Sequence, residues 1–361
     1  MEGFDADIRA VNPYYPRMPF NSLAVSRRDF LKRAAALGPA MALAGRSSAV
    51  PASAWPPPVG YATISWPEAE FDQALETIAS LGFAGVQMLG WVRDANLGAK
   101  AAALKQRLEA LKLFPAALSC SRLKLDPARA DDATAEFRAY AAFLQNLDGQ
   151  NPGGQGLGGR VLQVMDGGRP ELSYSADQVA SLGARMTALG RVAREYGLTL
   201  GYHPHFGTFG ETREGLGRVL AAADPGAVKL IADVAHLQLG GSDPAEVIRT
   251  YRDRVVLVHF KDLRRDAAEA ARQGRDEARR MKYHFAELGR GVVDFPGVIR
   301  ALREAPGPYW IIVELDAYEP PAGGAGESAR LNREALGRMG LMSPASPVSR
   351  MSRISKTSAV G

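Results

Sequence analysis

The sequence predicts an α/β protein with a (β/α)8 barrel, because eight short apolar runs alternate with longer amphipathic stretches. Each run is mostly apolar, as expected for parallel strands that are covered on both faces. The alternative is a doubly wound open sheet, but no G-x-G-x-x-G opens a helix after the first run, so a Rossmann-type nucleotide site is not expected. The predicted strands span residues 59–65, 85–89, 114–119, 161–165, 198–203, 228–233, 255–260 and 310–315. Helical stretches between them include residues 68–81, 99–111, 128–147, 176–196 and 244–251.

Composition and charge exclude several classes of protein. The chain has 361 residues, of which 46% are hydrophobic and 23% are charged, as in a globular protein. Its single cysteine, Cys120, excludes an internal disulfide scaffold and a Cys-rich zinc site. The formal net charge of +5 lies at the ends, since residues 1–54 and residues 343–361 each contribute +3 and the remainder sums to −1. A basic groove for nucleic acid is therefore not supported, and we expect no nucleic-acid partner.

The first 54 residues predict a twin-arginine signal peptide. Arg27 and Arg28 precede a short apolar stretch at residues 34–44, and small residues at 52–54 give an A-x-A cleavage pattern. The apolar stretch is too short to cross a membrane, so no stable membrane span is expected. We expect export of the folded protein by the twin-arginine machinery, to the periplasm or beyond.

The rest of the chain divides into a barrel domain and a tail. Residues 55–342 form the predicted barrel, and the Ser-rich residues 343–361 predict a disordered tail. The glycine-rich residues 148–159 lack the Lys-Ser/Thr ending of a phosphate loop and are interpreted as a connection. The densely charged residues 264–282 follow the seventh strand and are either a lid over the active-site face or a solvated surface helix.

Four of the five histidines, with one Asp and one Glu, fall at the carboxyl ends of four successive predicted strands. These ends meet at one mouth of a barrel, where catalytic groups gather. Imidazoles and carboxylates from neighbouring strands suit a divalent ion such as Mn²⁺, Co²⁺ or Zn²⁺. Each residue alone could instead be a hydrogen-bonded core residue or a helix cap, so the joint pattern carries the prediction. The strands end in Tyr202-His203-Pro204-His205, Ala232-Asp233-Val234-Ala235-His236, Val258-His259-Phe260-Lys261-Asp262 and Val313-Glu314-Leu315-Asp316.

These motifs carry a resemblance to a known family. Together with Gly85-Val86-Gln87 and the Gly289-Arg290-Gly291 segment, they make residues 58–340 resemble the xylose isomerase-like TIM-barrel superfamily, the sugar phosphate isomerase/epimerase group. Within it, Ile64-Ser65-Trp66 and the stretch 203–208 with Glu211 are most similar to the inosose dehydratase branch.

The resemblance implies a metal site. Asp233, His259 and Glu314 match the family's ligands on strands six, seven and eight. The strand-five ligand, an acid in the family, is His203 in this chain, with His205 or Glu211 as substitutes. Two further departures are Gln87 and Arg290, at places where acids are common in the family.

The resemblance also implies catalytic roles. Glu314 is expected to be a ligand that can act as a base, while His236 and Lys261 are expected to contact the substrate. His205, like His203 and His236, can act as an acid or base because an imidazole titrates near neutral pH. A pair of flanking Glu residues, as in the family's epimerases, is not evident, and this favours one-sided enolisation with elimination.

The implied activity is metal-dependent enolisation of a keto sugar or keto-polyol such as a keto-inositol, with isomerisation, epimerisation or dehydration as the outcome. The alternatives are a strict inosose-dehydratase-like lyase and an exported non-catalytic sugar-binding relative. An endonuclease of the endonuclease IV type shares the barrel. It needs more His ligands than this chain has, and the charge of −1 on the body would repel DNA. A phosphorylated substrate is not expected, because no glycine-rich phosphate cup opens a helix.

Overall fold

The eight predicted strands close into a parallel barrel, which confirms the predicted fold. The computed structural model describes residues 55–120, 125, 130–147, 159–167 and 174–343. Within them the strands are β1 Val59–Ala62, β2 Gly85–Leu89, β3 Phe114–Ser119, β4 Val161–Val164, β5 Thr199–Tyr202, β6 Val228–Asp233, β7 Val255–Phe260, β8 Asp262–Leu263, β9 Phe285–Ala286 and β10 Trp310–Val313. The ends of the eight barrel strands differ from the predicted ones by three residues or fewer. These strands follow the order β1-β10-β7-β6-β5-β4-β3-β2 around the barrel, while β8 and β9 form a separate antiparallel pair.

Helices connect the strands and cover the outside of the barrel. The longest, residues 176–195, begins with a capping box in which Ser175 and Gln178 satisfy each other's backbone N–H groups. The helices are α1 Phe71–Ser80, α2 Gly90–Ala95, α3 Ala99–Ala110, α4 Ala130–Asn146, α5 Ala176–Glu195, α6 Arg213–Ala222, α7 Val234–Leu239, α8 Pro244–Thr250, α9 Arg265–Gln273, α10 Arg275–Arg279, α11 Phe295–Arg303 and α12 Gly324–Arg338.

Aromatic rings fill the barrel at the amino ends of its strands. The ring of Phe114, the first residue of β3, stacks on that of Trp310, the first residue of β10, with centroids 5.6 Å apart. Gly85 makes room for this pair, because a Cβ there would lie 2.8 Å from the Trp310 ring. This aromatic pair packs inside the barrel near its amino end, and the polar side chains described below lie at the carboxyl end.

The charged segment after β7 packs onto the carboxyl end of the barrel. It forms α9 and α10 between β8 and β9. Ala267, Ala268 and Ala278 are buried in one cluster with Phe206 and Leu315, which follow β5 and β10. The segment is thus anchored over the barrel mouth by an apolar face, while most of its charged side chains face outward.

Three predictions concern residues that the structure does not describe. The signal peptide at 1–54, residues 344–361 of the tail and residues 148–158 of the glycine-rich connection all lie outside the described residues. Among the described residues, no helix has both the length and the apolar character that crossing a membrane requires.

Candidate metal centre

The four predicted metal ligands lie together inside the carboxyl end of the barrel. One ligand atom from each of them falls within 4.8 Å of the others, and all four residues are buried. They come from the ends of four adjacent strands: His203 follows β5, Asp233 lies on β6, His259 lies on β7 and Glu314 follows β10. We call these four residues the quartet.

Asp233 connects the quartet to helix α7. It is the last residue of β6 and the N-cap of α7, and its Oδ1 accepts hydrogen bonds from the backbone N–H groups of Ala235 and His236 at 3.1 and 3.0 Å. This leaves Oδ2 pointing into the barrel. The residue therefore fills the role of a helix cap with one oxygen and keeps the other available for a ligand.

Three buried atoms of the quartet converge, and none of them makes a hydrogen bond to a residue that the structure describes. They are His203 Nε2, Asp233 Oδ2 and His259 Nδ1. The two imidazole nitrogens lie 3.5 and 3.4 Å from Asp233 Oδ2. Burial lowers the pKa of His203 to about 4, so its ring is neutral at physiological pH. Buried polar atoms without partners are rare, and a cluster of them among two imidazoles and two carboxylates fits a divalent cation.

Lys261 is fully buried among three carboxylates. Its Nζ lies 3.2 Å from Asp233 Oδ2 and 2.9 Å from Glu314 Oε1, and it also contacts Asp316 Oδ1. Burial alone would lower the pKa of Lys261, but the three carboxylates raise it well above its ordinary value. Burial acts the other way on Asp233 and Asp316, yet Lys261 brings the pKa of each carboxyl well below its usual range. Lys261 is therefore a fixed positive charge beside the quartet.

A second cluster lies on the other side of Lys261. The rings of His205 and His236 have centroids 3.6 Å apart, and Asp316 Oδ2 lies 3.5 Å from His205 Nε2. Lys261 Nζ lies 3.3 Å from His236 Nε2. Burial, with help from His205 and Lys261, lowers the pKa of His236 well below its ordinary value, so this ring is neutral. Because Lys261 already supplies a positive charge here, these groups are better suited to a polar substrate than to a second metal ion.

Two buried amides support the quartet from the opposite wall. Gln87 on β2 contacts both Glu314 and His259, and Gln163 on β4 contacts His203. The two amides also contact each other, with 3.0 Å between Gln87 Nε2 and Gln163 Oε1. Together with the backbone N–H groups that hold Asp233 Oδ1, these contacts fix at least one polar atom of each quartet residue, as is usual around protein metal sites.

The other predicted site residues are placed apart from the quartet. His205 belongs to the second cluster. Glu211 is buried and forms a bidentate ion pair with Arg275, with N–O distances of 2.7 and 2.6 Å, and it also accepts from the N–H of Gly207. Of the three candidates for the strand-five position, only His203 lies in the quartet. Arg290 lies near the surface, 3.5 Å from Glu287.

Sequence reasoning missed Asp316 and Gln163. Asp316 lies two residues after Glu314, so an extended chain directs both side chains to the same side. Gln163 is the only polar residue of β4, Val161–Val164, and every residue of that strand is buried. A lone amide in a buried strand was the available signal, because such a group requires partners inside the barrel.

The Glu211–Arg275 pair ties the segment over the mouth to the loop after β5. Arg275→Met should leave Glu211 buried without its partner, which favours local opening by about 1.5–3 kcal/mol. We expect limited proteolysis between residues 264 and 282 to become about tenfold faster or more. Arg213→Met, which removes the exposed Arg213–Glu246 pair, is the matched control and should leave the rate unchanged. Equal rates in both variants would contradict the anchoring role.

Comparison with known proteins places these features in a family. Residues 75–335 match the family described as xylose isomerase-like TIM barrel. The inosose dehydratase of Geobacillus kaustophilus (strain HTA426) is 27% identical over 297 residues, which cover 78% of this chain and 94% of that protein.

Two solved structures share the fold. The IOLI protein with a bound zinc atom superposes with a TM-score of 0.60 at 16% identity, over 78% of this chain and 97% of the other. The probable 3-DHS dehydratase AsbF from Bacillus anthracis gives 0.60 at 14% identity, over 78% and 98%. At these identities the structures establish a common fold.

Proposed function

The chain belongs to the xylose isomerase-like TIM barrel family, and we propose that it is a divalent-metal-dependent enzyme that enolises a keto sugar or keto-polyol. The observation that carries the proposal is the convergence at the barrel mouth of buried atoms from His203, Asp233 and His259 that make no hydrogen bond to the described residues. The inosose dehydratase relative, which aligns over nearly its whole length, supports a sugar or keto-inositol substrate. The zinc atom in the IOLI structure supports an ion of the Mn²⁺, Co²⁺ or Zn²⁺ class.

The quartet would hold the ion, and Asp233, His259 and Glu314 are its core. When bound, a divalent ion supplies positive charge that polarises a carbonyl and makes the neighbouring C–H acidic. Which nitrogen of His203 carries the proton decides whether this residue is a fourth ligand.

Glu314 and Lys261 are suited to the proton transfer that enolisation requires. Burial would raise the pKa of Glu314, but His259 and Lys261 lower it, so the carboxylate is ionised and can accept a proton. Lys261 is fully buried yet keeps its charge, and it would stabilise negative charge on a substrate oxygen. Gln87 Nε2 donates to Glu314 Oε2 at 3.0 Å and holds this carboxylate in place.

The second cluster would bind the hydroxyls of the substrate. His236 is neutral and fully buried, and His205 is partly exposed beside it. Protonation of a departing hydroxyl requires an imidazolium, because a neutral ring would have to become an imidazolate. His205, whose Nε2 lies 3.5 Å from Asp316 Oδ2, is therefore the acid candidate for an elimination in its protonated form, and neutral His236 would act as a contact for the substrate.

Elimination is the outcome that the site favours. Two-base epimerisation needs a second carboxylate on the face opposite Glu314, and the strand-five residue in the quartet is His203. We therefore favour a dehydratase of the kind that the inosose dehydratase relative represents.

Deuterium incorporation tests the proposed function, because it reports enolisation whatever the final product. The purified protein, loaded in turn with Mn²⁺, Co²⁺ or Zn²⁺, is incubated in D₂O with a panel of keto sugars and keto-inositols. We expect deuterium at the carbon next to the carbonyl, or loss of water, with at least one substrate. Metal binding without exchange on any substrate would instead indicate a non-catalytic sugar-binding relative.

We further propose export by the twin-arginine pathway, which rests on Arg27 and Arg28 before the apolar stretch. Cell fractionation should find the protein outside the cytoplasm, and replacing both arginines with Lys should retain it inside. An unchanged distribution would contradict export by this route.

A further inference from the structure

The two buried amides behind the quartet form a continuous hydrogen-bonded chain from Glu314 to His203. Gln87 Nε2 lies 3.0 Å from Glu314 Oε2 and 3.0 Å from Gln163 Oε1. Gln87 Oε1 lies 2.9 Å from His259 Nε2. Gln163 Nε2 lies 3.0 Å from His203 Nδ1 and 3.3 Å from Ser119 Oγ. All of these side chains are buried, so each amide must satisfy its donors and acceptor within the chain.

Glu314 determines the direction of the hydrogen bonds along this amide chain. An ionised carboxylate only accepts hydrogen bonds, so the Gln87 group that faces it must be the NH₂ group. The carbonyl oxygen of Gln87 then faces His259 and requires a proton on His259 Nε2. In a neutral ring, His259 Nδ1 then carries no proton, and this is the atom that points toward Asp233. His259 is therefore prepared to donate a lone pair to a metal ion.

The same direction of hydrogen bonding extends to His203, but there it places the proton on the ring nitrogen that points into the quartet. The second N–H of Gln87 donates to Gln163 Oε1, so the NH₂ group of Gln163 faces His203 Nδ1. That nitrogen must accept, and the proton of a neutral ring is then on Nε2. Nε2 is the atom that points into the quartet, 3.5 Å from Asp233 Oδ2.

Reversing the amides does not free both histidines. If Gln163 turned its oxygen to His203, its NH₂ group would face the NH₂ group of Gln87. If Gln87 also turned, its oxygen would face the Glu314 carboxylate and its NH₂ group would face His259 Nε2. That nitrogen would then have to accept a hydrogen bond, so the ring proton would lie on Nδ1. The bare nitrogen of His259 would then be lost. With both amides in place, only one of the two histidines presents a lone pair to the metal position.

We infer that this amide chain keeps the proton of His203 on Nε2, so that His203 acts as a hydrogen-bond donor toward Asp233 and the metal is held by Asp233, His259 and Glu314 alone. The inference rests on the proposed function for the presence of the metal. It revises the role expected for His203 and makes Gln87 and Gln163 positioning residues. Three protein ligands leave coordination positions open for a substrate, as in catalytic metal sites generally.

Nitrogen NMR of the ring atoms tests this directly, because the chain has only five histidines. The protein is labelled with ¹⁵N-histidine, and each signal is assigned by single substitution. Without metal, we expect a protonated Nε2 and a bare Nδ1 in both His203 and His259. On addition of Zn²⁺, Nδ1 of His259 should shift and His203 should keep its proton on Nε2. A bare Nε2 in His203, before or after zinc, would overturn the inference.

Gln163→Glu supplies a second measurement. A carboxylate at this position accepts from both Gln87 and His203, so the His203 proton should move to Nδ1 and free Nε2 for the metal. We expect zinc binding, measured by calorimetry, to become at least about tenfold tighter, since a nitrogen ligand is gained. Gln163→Met, which offers neither donor nor acceptor, is the matched control and should show no gain.

Equal zinc affinity in Gln163→Glu and Gln163→Met would contradict the inference. If wild-type protein bound none of Mn²⁺, Co²⁺ and Zn²⁺, the proposed function would fail, while the proton positions in the metal-free protein would still decide whether the amide chain acts as inferred.

Discussion

Asp233→Asn is expected to abolish metal binding and activity together while preserving the fold. The amide oxygen of Asn can still accept from the N–H groups of Ala235 and His236, so α7 keeps its N-cap. The other oxygen becomes an NH₂ group that points at the metal position and repels a cation. Metal affinity should fall by more than about 100-fold, the upper range for residues that only support ligands. Metal analysis, calorimetry and deuterium exchange measure these losses.

A matched control for this substitution exists on the next helix. Asp243 caps α8 in the same way, accepting from Ala245 and Glu246, and it lies outside both clusters. Asp243→Asn should retain full metal content and activity. Stoichiometric metal and normal turnover in Asp233→Asn would remove Asp233 from the metal site.

Lys261→Met should have the largest effect on stability. The substitution leaves Asp233, Glu314 and Asp316 close together and buried without their shared cation. Removing one partner of a buried ion pair costs about 3–5 kcal/mol, so the free energy of unfolding of the metal-free protein should fall by about that much. Saturating Zn²⁺ should restore part of the loss, because it returns positive charge to the same carboxylates. Deuterium exchange should stay abolished, since the zinc cannot replace the contact of Lys261 with substrate.

Urea unfolding with and without Zn²⁺ measures the effect. Lys229→Met on β6 is the control, because Lys229 is not fully buried and its Nζ reaches only a backbone carbonyl. Its cost should be below about 1 kcal/mol. If Lys261→Met matched this control in the metal-free protein, Lys261 would not be the charge that holds the carboxylates together.

The barrel was predictable because strands that are buried on both faces appear in the sequence as short apolar runs. Val255–Phe260, for example, is an apolar run that is followed by polar residues. Helix N-termini are also marked in the sequence, as by the N-cap residue Ser175. The pair β8 and β9 was not predictable, since two-residue strands have no periodicity. Its pairing depends on the segment between them folding back over the mouth.

The convergence of the quartet was also predictable, because strand ends meet at one edge of a barrel. The contacts around the quartet were not predictable from the sequence. Asp316 and Gln163 act through contacts with side chains that are distant in sequence, such as the contact of Lys261 with Asp316. Glu211 illustrates the same limit, since its pairing with Arg275 is set by a fold that brings two loops together. Residue type and spacing identify candidate site residues, but the contacts in the folded structure determine which role each of them can have.

The most direct test of the central claim is the metal dependence of exchange in the wild-type protein. A chelator-treated sample is titrated with Zn²⁺ or Mn²⁺ while bound metal and deuterium incorporation into the substrate are followed together. The metal-centred site predicts one ion per chain, no exchange without the ion, and exchange that rises in proportion to occupancy. Undiminished exchange in protein that contains no metal would contradict it.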